Sequence, residues 1–234
     1  MQKKIDGDKE LLTFFKEDLI DLRRHLLAMS NLVKTSLSLS IKSLIKKDSK
    51  LAEKVIEGDD KIDQMELDIE EECLEIIALK QPVDKKLRVI TCGMKIITDL
   101  ERVGDHAVNI ARASQYLAKK NLVKPLIDIP RMANLAQEML QGSLDAYLRE
   151  DVDLAKHIWK KDEILDQLNQ QIFRELLTFM LEDPRTINRS IYLIFISDNL
   201  ERIGDHAGNL AERVLYMVNG ERIQKKFNLY QEDN

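Results

Sequence analysis

Two pairs of carboxylates in this chain have the type and spacing to do chemistry. Glu101 and Asp105 lie four residues apart, as do Glu201 and Asp205. Residues at i and i+4 share one face of a helix. Carboxylate oxygens are hard ligands for magnesium, manganese, calcium or iron, and can bridge several ions. A lone pair of this kind is weak support, because 41 acids in 234 residues give roughly seven such pairs by chance.

Context makes the pairs more specific. Residues 99–111 read Asp-Leu-Glu-Arg-Val-Gly-Asp-His-Ala-Val-Asn-Ile-Ala, and residues 199–211 read Asn-Leu-Glu-Arg-Ile-Gly-Asp-His-Ala-Gly-Asn-Leu-Ala. One segment is written twice, and internal repetition sets architecture. Two further pairs precede them, Asp59 with Asp63 and Asp162 with Asp166. Asp63 and Asp59 stand 19 and 23 residues before Pro82, and Glu101 and Asp105 stand 19 and 23 after it. In the second copy, Asp166 and Asp162 stand 18 and 22 before Pro184, and Glu201 and Asp205 stand 17 and 21 after it. In an antiparallel hairpin, equal counts mean equal height. Each copy is therefore expected to set two acids opposite two acids.

Such a group repels itself unless solvent, basic neighbours or a bound cation offsets the charge. Two readings stand: a metal-binding face, or a solvated face held by Arg102, Arg202, Lys61 or Lys161. No cysteine stands at this level, so a thiolate site is disfavoured.

His106 and His206 follow the acids and point roughly 100° away. A di-iron bundle would use Glu-x-x-His, but Val103 and Ile203 occupy the glutamate positions, which disfavours ferritin-like oxidation. Both histidines read as packing or supporting residues, and His25 and His157 as structural or exposed. Gly104 and Gly204 fall inside helices, serving either close approach or room beside the carboxylates. Asn109 and Asn209 extend the stripe, either as amide ligands or as partners of a neighbouring helix. Cys73 and Cys92 read as packed free thiols.

The elements that must position these residues are helices. Pro 4, Gly 8, 5% aromatic and 33% charged residues fit an all-α chain. Breakers mark six segments, at about 9–46, 50–79, 83–119, 132–149, 151–181 and 184–219, with Asp48 and Asp151 as N-caps. The reading is two tandem up-down-up three-helix bundles related by a pseudo-two-fold. The first spans 1–120 and the second 131–220, with a linker at 121–130 and a polar tail at 221–234. A net charge of −5 argues against nucleic-acid binding. No apolar run reaches the roughly 18–20 residues a membrane span needs. The polar N-terminus reads as lacking a signal peptide, and two unpaired cysteines fit a cytoplasmic protein.

Leu100 to Ala107 and its copy Leu200 to Ala207 resemble the signature of the PhoU family. Asp59, Asp63, Asp162 and Asp166 match the Asp form of the family pattern, and Glu101, Asp105, Glu201 and Asp205 the Glu form. The resemblance implies a cytoplasmic regulator without catalytic activity. It would act with the ATPase subunit of the phosphate ABC transporter and a membrane sensor histidine kinase, and reach the membrane only through them. It would hold down uptake and the starvation response when phosphate is plentiful. The resemblance also implies metal ions on these eight carboxylates, multinuclear in some members, with iron foremost and zinc, manganese or magnesium as others. A homodimer is implied too. Two other readings are kept: a carboxylate-bundle metalloenzyme acting on phosphate esters or oxygen, and a metal-free interaction bundle.

Overall fold

The apolar residues of the first helix recur every three or four positions, and this spacing creates a single buried stripe. Leu22, Leu26, Met29, Val33, Leu37, Ile41 and Leu44 are all buried. The computed structural model describes residues 2–220, and residues 2–16 by backbone alone. It contains α1 (Gln2–Lys46), α2 (Ser49–Glu57), α3 (Asp59–Lys80), α4 (Asp84–Ala118), α5 (Asp128–Arg149), α6 (Val152–Glu182) and α7 (Ile187–Asn219). A 3-10 turn, Pro184–Thr186, leads into α7. There is no strand among the described residues.

Helices α1 to α4 form one three-layered bundle, and α5 to α7 form the other. The two copies pack through α4 against α7, and more lightly through α1 against α5. One continuous apolar core runs through both bundles. Tyr147 of α5 donates from its buried hydroxyl to the Val89 carbonyl of α4 at 3.1 Å. Arg23 of α1 reaches Glu150 after α5 at 2.9 Å.

Local chemistry explains the helix ends. Asp48 accepts from the Lys50 and Leu51 amides, and Asp151 from the Asp153 and Leu154 amides. Each satisfies donors that a helix start leaves open. Gln81 and Glu150 adopt left-handed φ of 47° and 57° after α3 and α5, ending each helix before a tight turn.

Four boundaries differ from the sequence reading. Segment 50–79 is not one helix. It breaks at Gly58, whose amide closes back on the Lys54 and Val55 carbonyls. Gly is a weak helix former, and the aligned residue in the second copy is Lys161, a better one, so α6 runs unbroken. Helix α5 starts at Asp128 rather than Met132, because Pro130 is accommodated in a first turn. The first helical backbone begins at Gln2 rather than Lys9. Pro184 opens the 3-10 turn, so the last α-helix starts at Ile187. The linker is fastened by buried Lys124, which pairs with Asp128 at 2.9 Å and with Glu175 of α6. The tail at 221–234 lies outside the described residues.

Candidate functional site: two paired acidic faces

Break and hairpin together position the first acidic face. Asp59 is the first residue of α3, and Gly104 lies beneath it. A Cβ at Gly104 would sit 3.5 Å from Asp59 Oδ1 and 3.1 Å from Ile62 Cδ1. In the second copy, a Cβ at Gly204 would sit 2.1 Å from Leu165 Cδ2. These glycines serve close helix approach, which settles one of the two readings of them. Asp162 of α6 lies over Gly208, 3.7 Å from where its Cβ would be.

The hairpins do bring the acids into mutual range. The Asp59 carboxyl is pushed up to about 6, first by burial and then by the charges of Asp63 and Asp105. Glu101 is pushed up to about 7 by burial, then by Asp105, Glu66 and Asp63, against the pull of Arg102. Glu201 reaches about 7 by burial, then through Asp205, Asp166 and Asp198, with Arg202 opposing. Each face thus holds a carboxylate that resists ionising because it is buried and, beyond that, because other carboxylates crowd it. The sequence did not single out Glu66 and Asp198 as members. Glu66 lies seven residues after Asp59, and Asp198 three before Glu201. Both spacings return to the same helix face.

Basic neighbours offset only part of this charge. Arg102 approaches Glu101 at 3.5 Å and Asp105 at 3.9 Å, but is itself 59% exposed. Lys161 is spent elsewhere, on Glu138 at 3.3 Å. Among the described residues, no group of three or more His, Cys, Asp or Glu converges closely enough to hold a metal ion. The faces gather charge and supply hard donors, while side-chain rotation would have to draw the oxygens onto an ion.

The histidines belong to the seam between α4 and α7. His106 Nδ1 lies 2.9 Å from Asn199 Oδ1, and His206 Nδ1 lies 3.0 Å from Asp99 Oδ1. Their rings are 5.5 Å apart. Each histidine thus crosses to the other copy, seven residues before that copy's own histidine. Asn109 donates to Asn199 at 3.3 Å, and Arg213 pairs with Asp99 at 2.7 Å. Sequence reasoning passed over Asp99 and Asn199. Their placement two residues before each acid pair was the available signal. His25 meets Glu72 at 2.7 Å. Cys73 and Cys92 are both buried and unbridged, and burial pushes the Cys73 thiol up to about 12.

A doubled acid pair on each of two equivalent hairpins matches a known domain. The PhoU domain model covers residues 26–114 and 129–214, one match per bundle. The chain belongs to the PhoU family. It is 42% identical over 211 residues to the phosphate-specific transport system accessory protein PhoU homolog of Pseudomonas aeruginosa, covering 90% of this chain and 87% of that one. The corresponding protein of Aquifex aeolicus is 41% identical over 213 residues, covering 91% and 96%. The crystal structure of PhoU from Pseudomonas aeruginosa superposes with a TM-score of 0.85 at 42% identity, over 88% of this chain and all (100%) of that one. The phosphate transport system regulatory protein PhoU from Streptococcus pneumoniae gives 0.84 at 30% identity, over 90% and 99%. These PhoU relatives are named as transport accessory and regulatory proteins, not as enzymes. No described helix of the PhoU-type fold is long and apolar enough to cross a membrane.

Proposed function

We propose that this chain regulates phosphate uptake and restrains phosphate-starvation signalling. It does so as a metal-binding adaptor between the ATPase subunit of the phosphate ABC transporter and a sensor histidine kinase. The reading rests on one observation: family membership across both bundles, one domain match in each. It places the chain in the cytoplasm, at the membrane only through its partners, and as a homodimer.

The electrostatics favour a cation on each face. Carboxyls kept protonated toward neutrality by burial and by one another release those protons when a divalent ion takes their place. Asp59, Asp63, Glu101 and Asp105 would hold ions on the first face, and Asp162, Asp166, Glu201 and Asp205 on the second. Iron leads among candidate metals, with zinc, manganese or magnesium also compatible with oxygen donors.

An exposed apolar ladder supports the adaptor role. Leu181 and Ile187, Leu177 and Ile191, and Phe173 and Phe195 stand three, seven and eleven residues either side of Pro184, and all six are exposed. Large apolar side chains left exposed on both helices of one hairpin are the kind of surface that marks protein contact.

The test combines Asp105→Ala with Asp205→Ala. Metal content of tag-free protein should fall while the helical circular dichroism is retained, and phosphate-replete cells carrying the variant should derepress their starvation genes. Full metal content in the double variant would refute the carboxylate assignment. Normal repression would refute the regulatory reading.

A further inference from the structure

Duplication gave the α4–α7 seam two equivalent ends, and they have diverged. At one end Tyr116 and Tyr192 stack with centroids 3.9 Å apart. Shifting by one hundred residues, the offset of the two acid motifs, puts Cys92 at the place of Tyr192 and Tyr216 at the place of Tyr116. The small thiol cannot fill the space a second ring occupies. A cleft of about 460 Å³ opens there, lined by Thr91, Cys92 and Lys95 of α4 and by Asn209, Glu212, Arg213 and Tyr216 of α7.

The lining has changed character with the shape. Lys95 stands where the other end has exposed Phe195, Thr91 where it has Ile191, and Arg213 where it has Ala113. Conversely, Glu212 stands where the other end has Arg112, so Lys95 and Arg213 are new cations here and Glu212 a new acid. Lys95 and Arg213 bring two cations into the lining of this cleft. Arg213 is anchored by Asp99 at 2.7 Å, and its buried Nε has no hydrogen-bond partner among the described residues. Buried donors are rarely left unpaired.

Glu212 is the exception in this lining, and it narrows the ligand. A carboxylate repels a fully ionised oxyanion but accepts a hydrogen bond from one that keeps a proton. Inorganic phosphate keeps a proton at neutral pH. Sulfate has none, and a phosphate monoester, with its second pKa near 6, has mostly lost its own. Combining attraction for one ligand with a penalty on its look-alikes is how sites discriminate.

We propose that this cleft binds inorganic hydrogen phosphate, with Lys95 and Arg213 holding its charge and Glu212 accepting a hydrogen bond from its hydroxyl. The proposal deepens the regulatory reading by giving the molecule a site for the ion whose supply it reports. It adjoins the second acidic face, because Asn209 also lines the hollow beside Glu201 and Asp205, but it offers cations of its own and needs no metal to take the ion.

The test is calorimetric titration of the full chain with sodium phosphate in excess chelator, at ionic strength fixed with chloride. Saturable binding is expected. Affinity should fall at least tenfold for sulfate and for glycerol phosphate, and at least tenfold for phosphate in Lys95→Ala, a substitution at an exposed position that leaves the core intact. Glu212→Gln should narrow the phosphate–sulfate gap, because an amide can donate to sulfate. No binding above the chloride control would overturn the proposal, as would equal affinity for sulfate or full affinity in Lys95→Ala. Because the titration uses purified, metal-free protein, its failure would leave the cellular test of regulation standing.

Discussion

At the scale of single residues, the shifted carboxyls carry a direct consequence for stability. Glu101 and Glu201 titrate near 7 in the folded chain, well above the ordinary 4.5. A pKa raised on folding means that the protonated carboxyl favours the native state. That contribution is complete below about pH 4.5 and is lost as pH rises through about 7. Metal-free protein carrying Glu101→Gln and Glu201→Gln should therefore lose less stability than the parent between pH 5 and 8, and urea midpoints at each pH would show it. Parallel slopes for the two proteins would mean the carboxyls are not perturbed. Asp99 makes a second case. It accepts from His206 and pairs with Arg213 while almost fully buried. Asp99→Asn should destabilise by about 1–3 kcal/mol, because an amide leaves the guanidinium without its counter-charge. Its counterpart Asn199 faces His106 and Asn109, where no cation needs balancing. Chemical denaturation should find Asn199→Asp harmful for the opposite reason: it buries an unmatched charge.

At the scale of elements, two glycines report how tightly the hairpins close. A methyl at Gly204 would collide with Leu165, whereas one at Gly104 would press Ile62 only slightly. Helix propensity favours Ala by about 1 kcal/mol at both places, and overpacking costs about 1–3 kcal/mol where a core side chain must move. Gly204→Ala should accordingly lower the melting temperature more than Gly104→Ala, a difference that scanning calorimetry resolves. Much at this scale was legible in the chain. Asp48 and Asp151 announced helix starts by their side-chain oxygens, and the counts about Pro82 and Pro184 placed acid opposite acid. The break at Gly58 was also visible in principle, since Lys161 marks the same position in the unbroken copy. The seam was not legible. Helices α4 and α7 bury residues around most of their circumference, so a hydrophobic stripe cannot say which face meets which neighbour. The pairing of His106 with Asn199 depends on that choice. The lack of a three-donor group at the acids among the described residues was equally beyond the counts, which set height along an axis but not rotamer.

At the scale of the whole molecule, the copies share one core, so they should not behave as two domains. Thermal unfolding should show a single transition by both calorimetry and circular dichroism. Two resolved transitions would mean that the α4–α7 seam adds little. If the acidic faces hold divalent ions, adding the metal should raise that one melting temperature, and the shift should grow with pH as ions displace protons more readily. Unchanged melting across metal and chelator would favour a purely protein-binding role for the acids.

The unlike ends of the seam matter for a further reason. A body built from two equal halves looks the same after half a turn, so a partner gripping both halves would find two equivalent ways to sit on it. Signals passed through such a contact would lose their direction. The stacked tyrosines at one pole and the lysine-lined hollow at the other remove that ambiguity. They give a nearly symmetric object a front and a back.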